Sequence, residues 1–462
     1  MKAVKNMKTL EQIGAELQGY DPQALSADDV LAFLEQLVTP LSAHIDGGDT
    51  EALPLFEALG RVLAEDVISP VDVPPHDNSA MDGYAFDSAQ LTSGNEAPLR
   101  LRCVGTALAG KAWVGDVGAG QCVKIMTGAI MPAGLNTVAP QELVTATGNN
   151  ITVPAGQLRA GDNRRHRGED LAQGQTALLK GELVTPARLG LAASLGVPLL
   201  RCYRPLAVAY FSTGDEILSL GEAPREGAVY DSNRYTVFAL LKRLGCRVID
   251  MGVVGDDPAL LEAAFRQAAL QADAIITSGG VSVGEADHTK AMMKKLGDVA
   301  FWRIAMRPGR PMAVGRINVS KFDGKSPASP GIDCLSSYQL NSKHNNAILF
   351  GLPGNPVAVM VTFLAFVRPA LLRMMGATAT TPVLLKARST ETIRKKPGRT
   401  EYQRGWVSAS ADGGLSVRTT GSQGSGVLRS MAEANGLIVL HHAQSHVAVG
   451  EAVDVLMFDG VM

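Results

Sequence analysis

The chain is 462 residues long, 46% hydrophobic and 19% charged, with 49 glycines and 24 prolines. That is too much for one ordinary core, and it points to roughly two to four globular domains rich in turns. A net charge of −2 gives no global field toward nucleic acid or an anionic membrane, so any oxyanion site has to be a local cluster. The five cysteines show no CxxC and no metal-ligand spacing, which fits a reducing cytosol. The start, MKAVKNMKTLEQIGAEL, lacks the apolar stretch of a signal peptide. The most apolar segment, residues 357–367, is about half the length of a bilayer span. A soluble, cytoplasmic protein is expected.

In chain order, residues 28–42 place Val30, Leu31, Leu34, Leu37 and Val38 at helical spacing after a cap at Ser26. From about 64 to 173, short Val/Ile runs alternate with Gly, Pro and Asn clusters, the texture of a β-rich region with long loops. Between about 205 and 375, strand and helix patterns alternate. LAVAYFSTGDE reads as a strand ending in a polar turn, and SNRYTVFALLKRLG as a helix stopped by Gly245. RVIDMGVVGDD is the next strand. Asp257 caps and Pro258 opens the helix that follows it. ADAIITSGG is a buried strand, DHTKAMMKKLG a helix, and Asn355–Pro356 starts a helix that ends at Gly376. Repeated β-α-β units imply a parallel, twisted sheet covered by helices on both faces. After about 378, the short alternating runs VLLKARST, GLSVRTT, GLIVLHH and AVDVLMF indicate a small separate β domain. The polar stretch 320–346 reads as an exposed loop, serving as a lid, a partner site or an inert insertion.

Ligands of open α/β sheets collect beyond the carboxyl ends of the strands. Three segments fall there: Ser212–Glu216, Gly255–Pro258 and Thr277–Asp287. Gly279, Gly280 and Gly284 let the backbone approach a ligand, and their N–H groups suit a phosphate, although a glycine-rich loop can equally be a bare turn. Arg303, Arg307 and Arg310 surround a Pro308–Gly309 break, as surface arginines or as a fork-shaped oxyanion clamp. Leu352-Pro353-Gly354-Asn355-Pro356 stiffens the approach to a helix whose positive end suits a dianion. In the β-rich region, Asp77 and Asp82 lie on a Pro- and Gly-shaped loop, where they either serve a site or simply accept from turn amides.

The loop acids Asp77, Asp170, Glu216, Asp256 and Asp287 repel by roughly 4 kcal/mol per pair if they converge to about 4 Å at an effective dielectric of about 20. Such a cluster asks for a cation, and Mg²⁺ takes one or two carboxylates while reaching phosphate oxygens. No GxxxxGK[ST], HExxH or GxSxG is present, which counts against P-loop, zincin and α/β-hydrolase chemistry.

The run Asp77–Ala85 resembles the signature loop of the MoeA enzymes, the molybdopterin molybdenumtransferases, a loop shared with the C-terminal domain of gephyrin. MTGA at Met126–Ala129, RRHRGED at Arg164–Asp170, STGDE at Ser212–Glu216, SGGVSVGEAD at Ser278–Asp287 and LPGNPV at Leu352–Val357 resemble that family's motifs in the same order. The similarity runs from about residue 25 to the end. It implies a multidomain α/β plus β protein: a molybdopterin-binding α/β domain over 25–44 and 197–377, a connecting domain over 45–63 and 174–196, an elongated β-rich domain over 64–173 and a C-terminal β domain over 378–462. It also implies a homodimer with a site shared between the α/β domain of one subunit and the β-rich domain of the other.

By the same resemblance, Asp77, Asp170, Glu216, Asp256 and Asp287 are the functional acids, with Glu216, Asp256 and Asp287 available to Mg²⁺. Thr127, Arg165, Ser278, Gly279, Gly280, Arg303, Arg307, Arg310, Pro353 and Pro356 surround the substrates, molybdate and adenylated molybdopterin, and AMP is released as molybdate goes in. A molybdopterin adenylyltransferase and molybdoenzyme maturation factors are the expected partners, with no nucleic acid and no membrane. Where many relatives carry lysines around the PG turn, this chain has Arg303, Arg307 and Arg310, a planar fork in place of a compact ammonium. A molybdopterin adenylyltransferase alone would lack the β-rich domain, and a silent scaffold would be expected to lose acids.

Overall fold

The computed structural model describes residues 8–17, 19–41, 49–91, 97–281, 288–319, 346–460 and 462. Asp287 and nearly all of the 320–346 stretch lie outside the described residues.

The centre of the molecule is a six-stranded sheet. Its strands are β1 (Ala207–Thr213), β2 (Arg247–Val254), β3 (Ala274–Ser278), β4 (Gly297–Arg303), β5 (Pro311–Asn318) and β6 (Asn346–Leu352). Their spatial order is 2-1-3-6-5-4. Every residue of β1 and β3 is buried, as expected of strands covered on both sides. The faces separate by alternation along β1: Val208 and Tyr210 join the larger core, and Ala209 and Phe211 the smaller one opposite.

Helix α1 (Ser232–Arg243) leaves β1 and buries Val237, Leu240 and Leu241 in the larger core before the chain enters β2. Helix α2 (Pro258–Gln271) buries Leu261 and Phe265 in the smaller core and returns the chain to β3, on the other side of β1. The Asp257 side chain accepts from the Ala259 and Leu260 amides, which fixes where α2 begins. Strand order therefore reverses between β1 and β3, and the carboxyl ends of these two strands are where such a sheet takes its ligands.

The sheet is not wholly parallel. β1–β2, β1–β3 and β3–β6 pair parallel, whereas β6–β5 and β5–β4 are antiparallel. The physical reason is the short Ile304–Arg310 connection, which can turn a hairpin but cannot carry a parallel crossover of a dozen or more residues.

The helix Ala27–Leu37 begins at Ser26 in a capping box: the Ser26 hydroxyl accepts from the Asp29 amide at 3.1 Å and the Asp29 carboxylate accepts from the Ser26 amide at 3.1 Å. It sets Phe33 edge-on against Trp302, with ring centroids 4.8 Å apart. The helical run Pro356–Met374 is long and apolar enough by composition to cross a membrane, yet 78% of it is buried in the core.

A second six-stranded sheet lies within residues 83–153 and carries cores on both faces. A third has strands at Thr400–Ala409, Leu415–Thr419, Leu385–Ser389, Ala452–Met457 and Gly436–Leu440, and pairing of the first with the last closes it into a barrel. Its sixth member, Met306–Arg307, comes from the loop between β4 and β5 and runs parallel to Thr400–Glu401. A smaller core of Leu53, Leu63, Val184, Ala192, Leu200 and Cys202 brings together the segments that precede and follow the β-rich region.

Candidate functional site

The turn between β1 and β3 is shaped by glycines at which a side chain would be strained. Gly279 and Gly280 have φ of +91° and +63°. A Cβ on Gly279 would sit 2.5 Å from the Thr213 carbonyl oxygen, and one on Gly280 would sit 2.6 Å from Thr289 Cβ. Gly214, at φ +136°, plays the same part for an acid: its missing Cβ leaves room for the Glu216 carboxylate, which folds back to within 2.4 Å of where that Cβ would be. The Asp215 carboxylate accepts from the Asp256 amide at 3.0 Å, so the loops after β1 and β2 are tied together. Glu216 and Asp256 thus stand on adjoining, exposed strand ends.

Ser278 ends β3 and is buried, its hydroxyl 2.7 Å from the Tyr210 hydroxyl. In the same domain, several buried polar atoms have no hydrogen-bond partner among the described residues: Asp231 Oδ2, Asn233 Oδ1, Thr277 Oγ1, Thr289 Oγ1 and Thr362 Oγ1. They are divided between the two faces of the sheet: Thr277 and Thr289 belong to the side of the smaller core, and Asn233 and Thr362 to the side of the larger one. Asn233 Nδ2 donates to the Gly354 carbonyl at 2.8 Å, Thr289 abuts Gly280, and Thr362 Oγ1 is 2.4 Å from where a Cβ on Gly309 would lie. Buried polar groups ordinarily find partners, so Thr277 and Thr289, which flank the glycine turn, have capacity left for a further polar group.

Pro353 is buried, and Pro356 occupies the first turn of the helix after Asn355. Arg303, Arg307 and Arg310 are all exposed around the Pro308–Gly309 turn. The structure therefore gathers Glu216, Asp256, Ser278, Gly279, Gly280 and the Pro353–Pro356 turn around the strand ends, with the arginine loop carried by β4 and β5. Asp287 lies outside the described residues.

The second group of expected residues sits around a short two-stranded ladder, Asn78–Ser79 against Arg164–Arg165, beside the β-rich sheet. Asp77 Oδ1 accepts from the Arg167 amide at 2.8 Å, and Oδ2 pairs with the Arg164 guanidinium. The Arg167 amide, with Arg164 behind it, holds the Asp77 carboxyl below the usual carboxylate range. Asp82 Oδ1 accepts from both the amide and the hydroxyl of Thr127, each at 2.7 Å, and those two bonds lower its pKa too. Both aspartates accept from turn amides, the plainer of the two readings their sequence allows. Arg165 Nε donates to Glu169 at 2.6 Å, and Asp170 is exposed beside the same turn. The two groups of acids lie in loops of different sheets: the 78–79/164–165 ladder for Asp77 and Asp170, and the central sheet for Glu216 and Asp256.

Comparison with known proteins bears directly on this arrangement. Residues 25–196 match the MoeA N-terminal region (domain I and II), residues 209–373 a probable molybdopterin binding domain, and residues 386–458 the MoeA C-terminal region (domain IV). The molybdopterin molybdenumtransferase of Haemophilus influenzae is 38% identical over 430 residues, which are 93% of this chain and 97% of that protein. The chain belongs to the MoeA family. A molybdopterin molybdenumtransferase from a Nostoc species is 34% identical over 95% of each chain, and that of Bacillus subtilis is 31% identical over 89% of this chain and 90% of its own length. Among solved structures, a MoeA protein from Pyrococcus horikoshii superposes with a TM-score of 0.71 at 26% identity, covering 94% of this chain and all of that one.

Within this MoeA chain, two site neighbours escape sequence reasoning. Arg404 is almost wholly buried, with Nε donating to Ser430 Oγ at 3.0 Å and Nη2 to the Ser422 and Gly424 carbonyls at 2.9 and 3.0 Å. Burial first, and then the nearby Arg307 charge, pulls its pKa down to about 10. Ser425, in the same loop, accepts from Asn355 Nδ2 at 3.1 Å, and its carbonyl accepts from the Val357 amide at 3.1 Å. The barrel thereby reaches the start of the Pro356 helix and adds a buried positive charge behind Arg307. The only sequence trace of this is the Gly/Ser run 421–426, which reads as an ordinary loop.

Proposed function

We propose that this MoeA protein inserts molybdate into adenylated molybdopterin and releases AMP. The observation that carries the reading is the strand-end glycine turn: Gly279 and Gly280 pack against Thr213 and Thr289 where β1 and β3 diverge, and the arginine loop packs Gly309 against the Pro356 helix, whose entry turn follows the neighbouring β6. Molybdate, a tetrahedral dianion, suits the Arg307 and Arg310 guanidinium groups, the Ser278 hydroxyl and the positive end of the helix that starts at Pro356. The amides of Gly279 and Gly280 suit the phosphate of the pterin substrate.

The residues fit a Mg²⁺ ion that keeps most of its waters. Glu216 and Asp256 offer two carboxylates on tethered strand ends, although no set of three metal-binding side chains occurs among the described residues. Glu216, Asp256 and Asp287 would hold the ion, which supplies Lewis-acid polarisation of the phosphoanhydride when bound. The chain's own residues orient the rest: the glycine loop fixes the phosphate and the arginines hold the molybdate. Asp77 and Asp170 complete the site from a second subunit in a cytoplasmic homodimer.

In this reading the α/β domain covers 25–44 and 197–377, the connecting domain 45–63 and 174–196, the β-rich domain 64–173 and the C-terminal domain 378–462. A molybdopterin adenylyltransferase delivers the substrate, and maturation factors of molybdoenzymes receive the product. AMP release from adenylated molybdopterin, measured with and without molybdate and Mg²⁺, tests the reading. Release that ignores both additions removes it.

A further inference from the structure

Below the strand ends lies a side chain that the proposed function does not use. The Tyr210 ring is 1% exposed, and its hydroxyl is 2.9 Å from Ser212 Oγ and 2.7 Å from Ser278 Oγ. The two serine oxygens are 3.3 Å apart, so the three hydroxyls form a closed triangle. The sheet dictates this. Tyr210 and Ser212 are two residues apart on β1 and share a face, and Ser212 pairs directly with Ser278 on β3.

A hydroxyl has one proton to donate and two lone pairs to accept with. If the three protons run round the triangle, each hydroxyl donates to the next, and Ser278 has only lone pairs left for a ligand. An oxyanion needs the opposite, a donor.

We infer that Tyr210 is a positioning residue that makes Ser278 a donor. When an oxyanion enters, the Ser278 proton turns toward it, while Ser278 Oγ keeps accepting from the Tyr210 hydroxyl. The Ser278 O–H is polarised by the bond it receives, and the pair acts cooperatively on the anion. Tyr210 suits the part because burial pushes its pKa well above the ordinary tyrosine value, and the nearby Asp231 charge adds to that. It remains a proton donor throughout the physiological range. Ser212 takes the third corner, so the triangle has no unpartnered member when Ser278 turns away.

The inference rests on the reading that Ser278 faces molybdate, and the experiment separates the two. Molybdate is titrated calorimetrically into the full-length wild type, Tyr210→Phe, Ser278→Ala and the double variant, and thermal stability and the pterin dependence of AMP release are followed alongside. Tyr210→Phe should weaken molybdate binding about three- to tenfold, the range of one neutral hydrogen bond. Its melting temperature should stay within a few degrees, and the half-saturating pterin concentration should not move. Added to Ser278→Ala it should change nothing more, because its effect passes through that hydroxyl.

If Ser278→Ala leaves molybdate affinity intact, the site reading fails and this inference with it. If Ser278→Ala weakens binding but Tyr210→Phe does not, the inference alone is overturned. If the two losses add in full, or if Tyr210→Phe lowers stability and both affinities together, Tyr210 acts by packing and the positioning role is overturned.

Discussion

Gly279→Ala sets two costs on one atom. The native φ of +91° is one that an alanine adopts at a cost of roughly 1–2 kcal/mol. The new Cβ would also lie 2.5 Å from the Thr213 carbonyl oxygen and 2.9 Å from its Oγ1. A backbone carbonyl inside a buried parallel strand cannot swing aside as a surface lysine can, so the overlap adds about 1–3 kcal/mol. The sum is about 2–5 kcal/mol if the loop holds its place. If the loop relaxes instead, its amides move off the phosphate, and the loss appears in substrate binding. Gly354→Ala is the internal control: it lies in the neighbouring turn, but its Cβ would meet nothing within 4 Å. Urea unfolding of both variants, beside the pterin dependence of AMP release, reads the two channels. Gly279→Ala should lower the unfolding midpoint or raise the half-saturating pterin concentration at least tenfold, whereas Gly354→Ala should shift the midpoint little. A Gly279→Ala protein unchanged in both would show that the turn is not packed against Thr213 as described.

Asp256→Asn should slow AMP release at least tenfold, about 1.4 kcal/mol of barrier, with the melting temperature unaltered because the side chain is exposed; normal turnover would remove it from the metal step. Arg307→Ala should raise the half-saturating molybdate concentration far more than the pterin one, and equal losses would indicate general destabilisation instead. Asp77→Asn and Asp256→Asn, each inactive alone, should recover about a quarter of wild-type activity when co-expressed, since about half the dimers are mixed and each of those keeps one intact site of two. No recovery in verified heterodimers would place Asp77 with its own subunit's acids.

What the sequence discloses is local. Ser26 with Asp29, and Asp257 with Pro258, mark helix starts through side chains that bond amides two or three residues away, and the structure has both caps. The glycine loops are legible for the same reason, because positive φ is a property of the residue itself. The antiparallel edge is less so: the Arg303–Pro311 connection has no Asn-Gly or Asp-Gly to announce a hairpin.

Features made by register are hidden altogether. The Tyr210, Ser212 and Ser278 triangle joins residues 66 and 68 positions apart in sequence, and only strand pairing brings them together. Arg404 sits in a run, TEYQRGWVSA, that reads as polar, and only the return of the 422–430 segment over the outer face of that strand buries it. Asp77 and Asp82 could be placed on a turn from sequence, but their partners Arg164, Arg167 and Thr127 lie 45 to 90 residues downstream.

The pairing of Met306–Arg307 with Thr400–Glu401 puts the backbone of the arginine loop into the barrel's own ladder. The loop is thus a hinge plate fastened to two bodies, since β4 and β5 anchor its ends to the central sheet. The barrel cannot tilt without dragging the Arg307 guanidinium with it, nor can Arg307 be repositioned without loading the barrel's first strand. Grafting this barrel onto another MoeA body, or trimming it away, would therefore alter the geometry of the basic loop even if every arginine were kept.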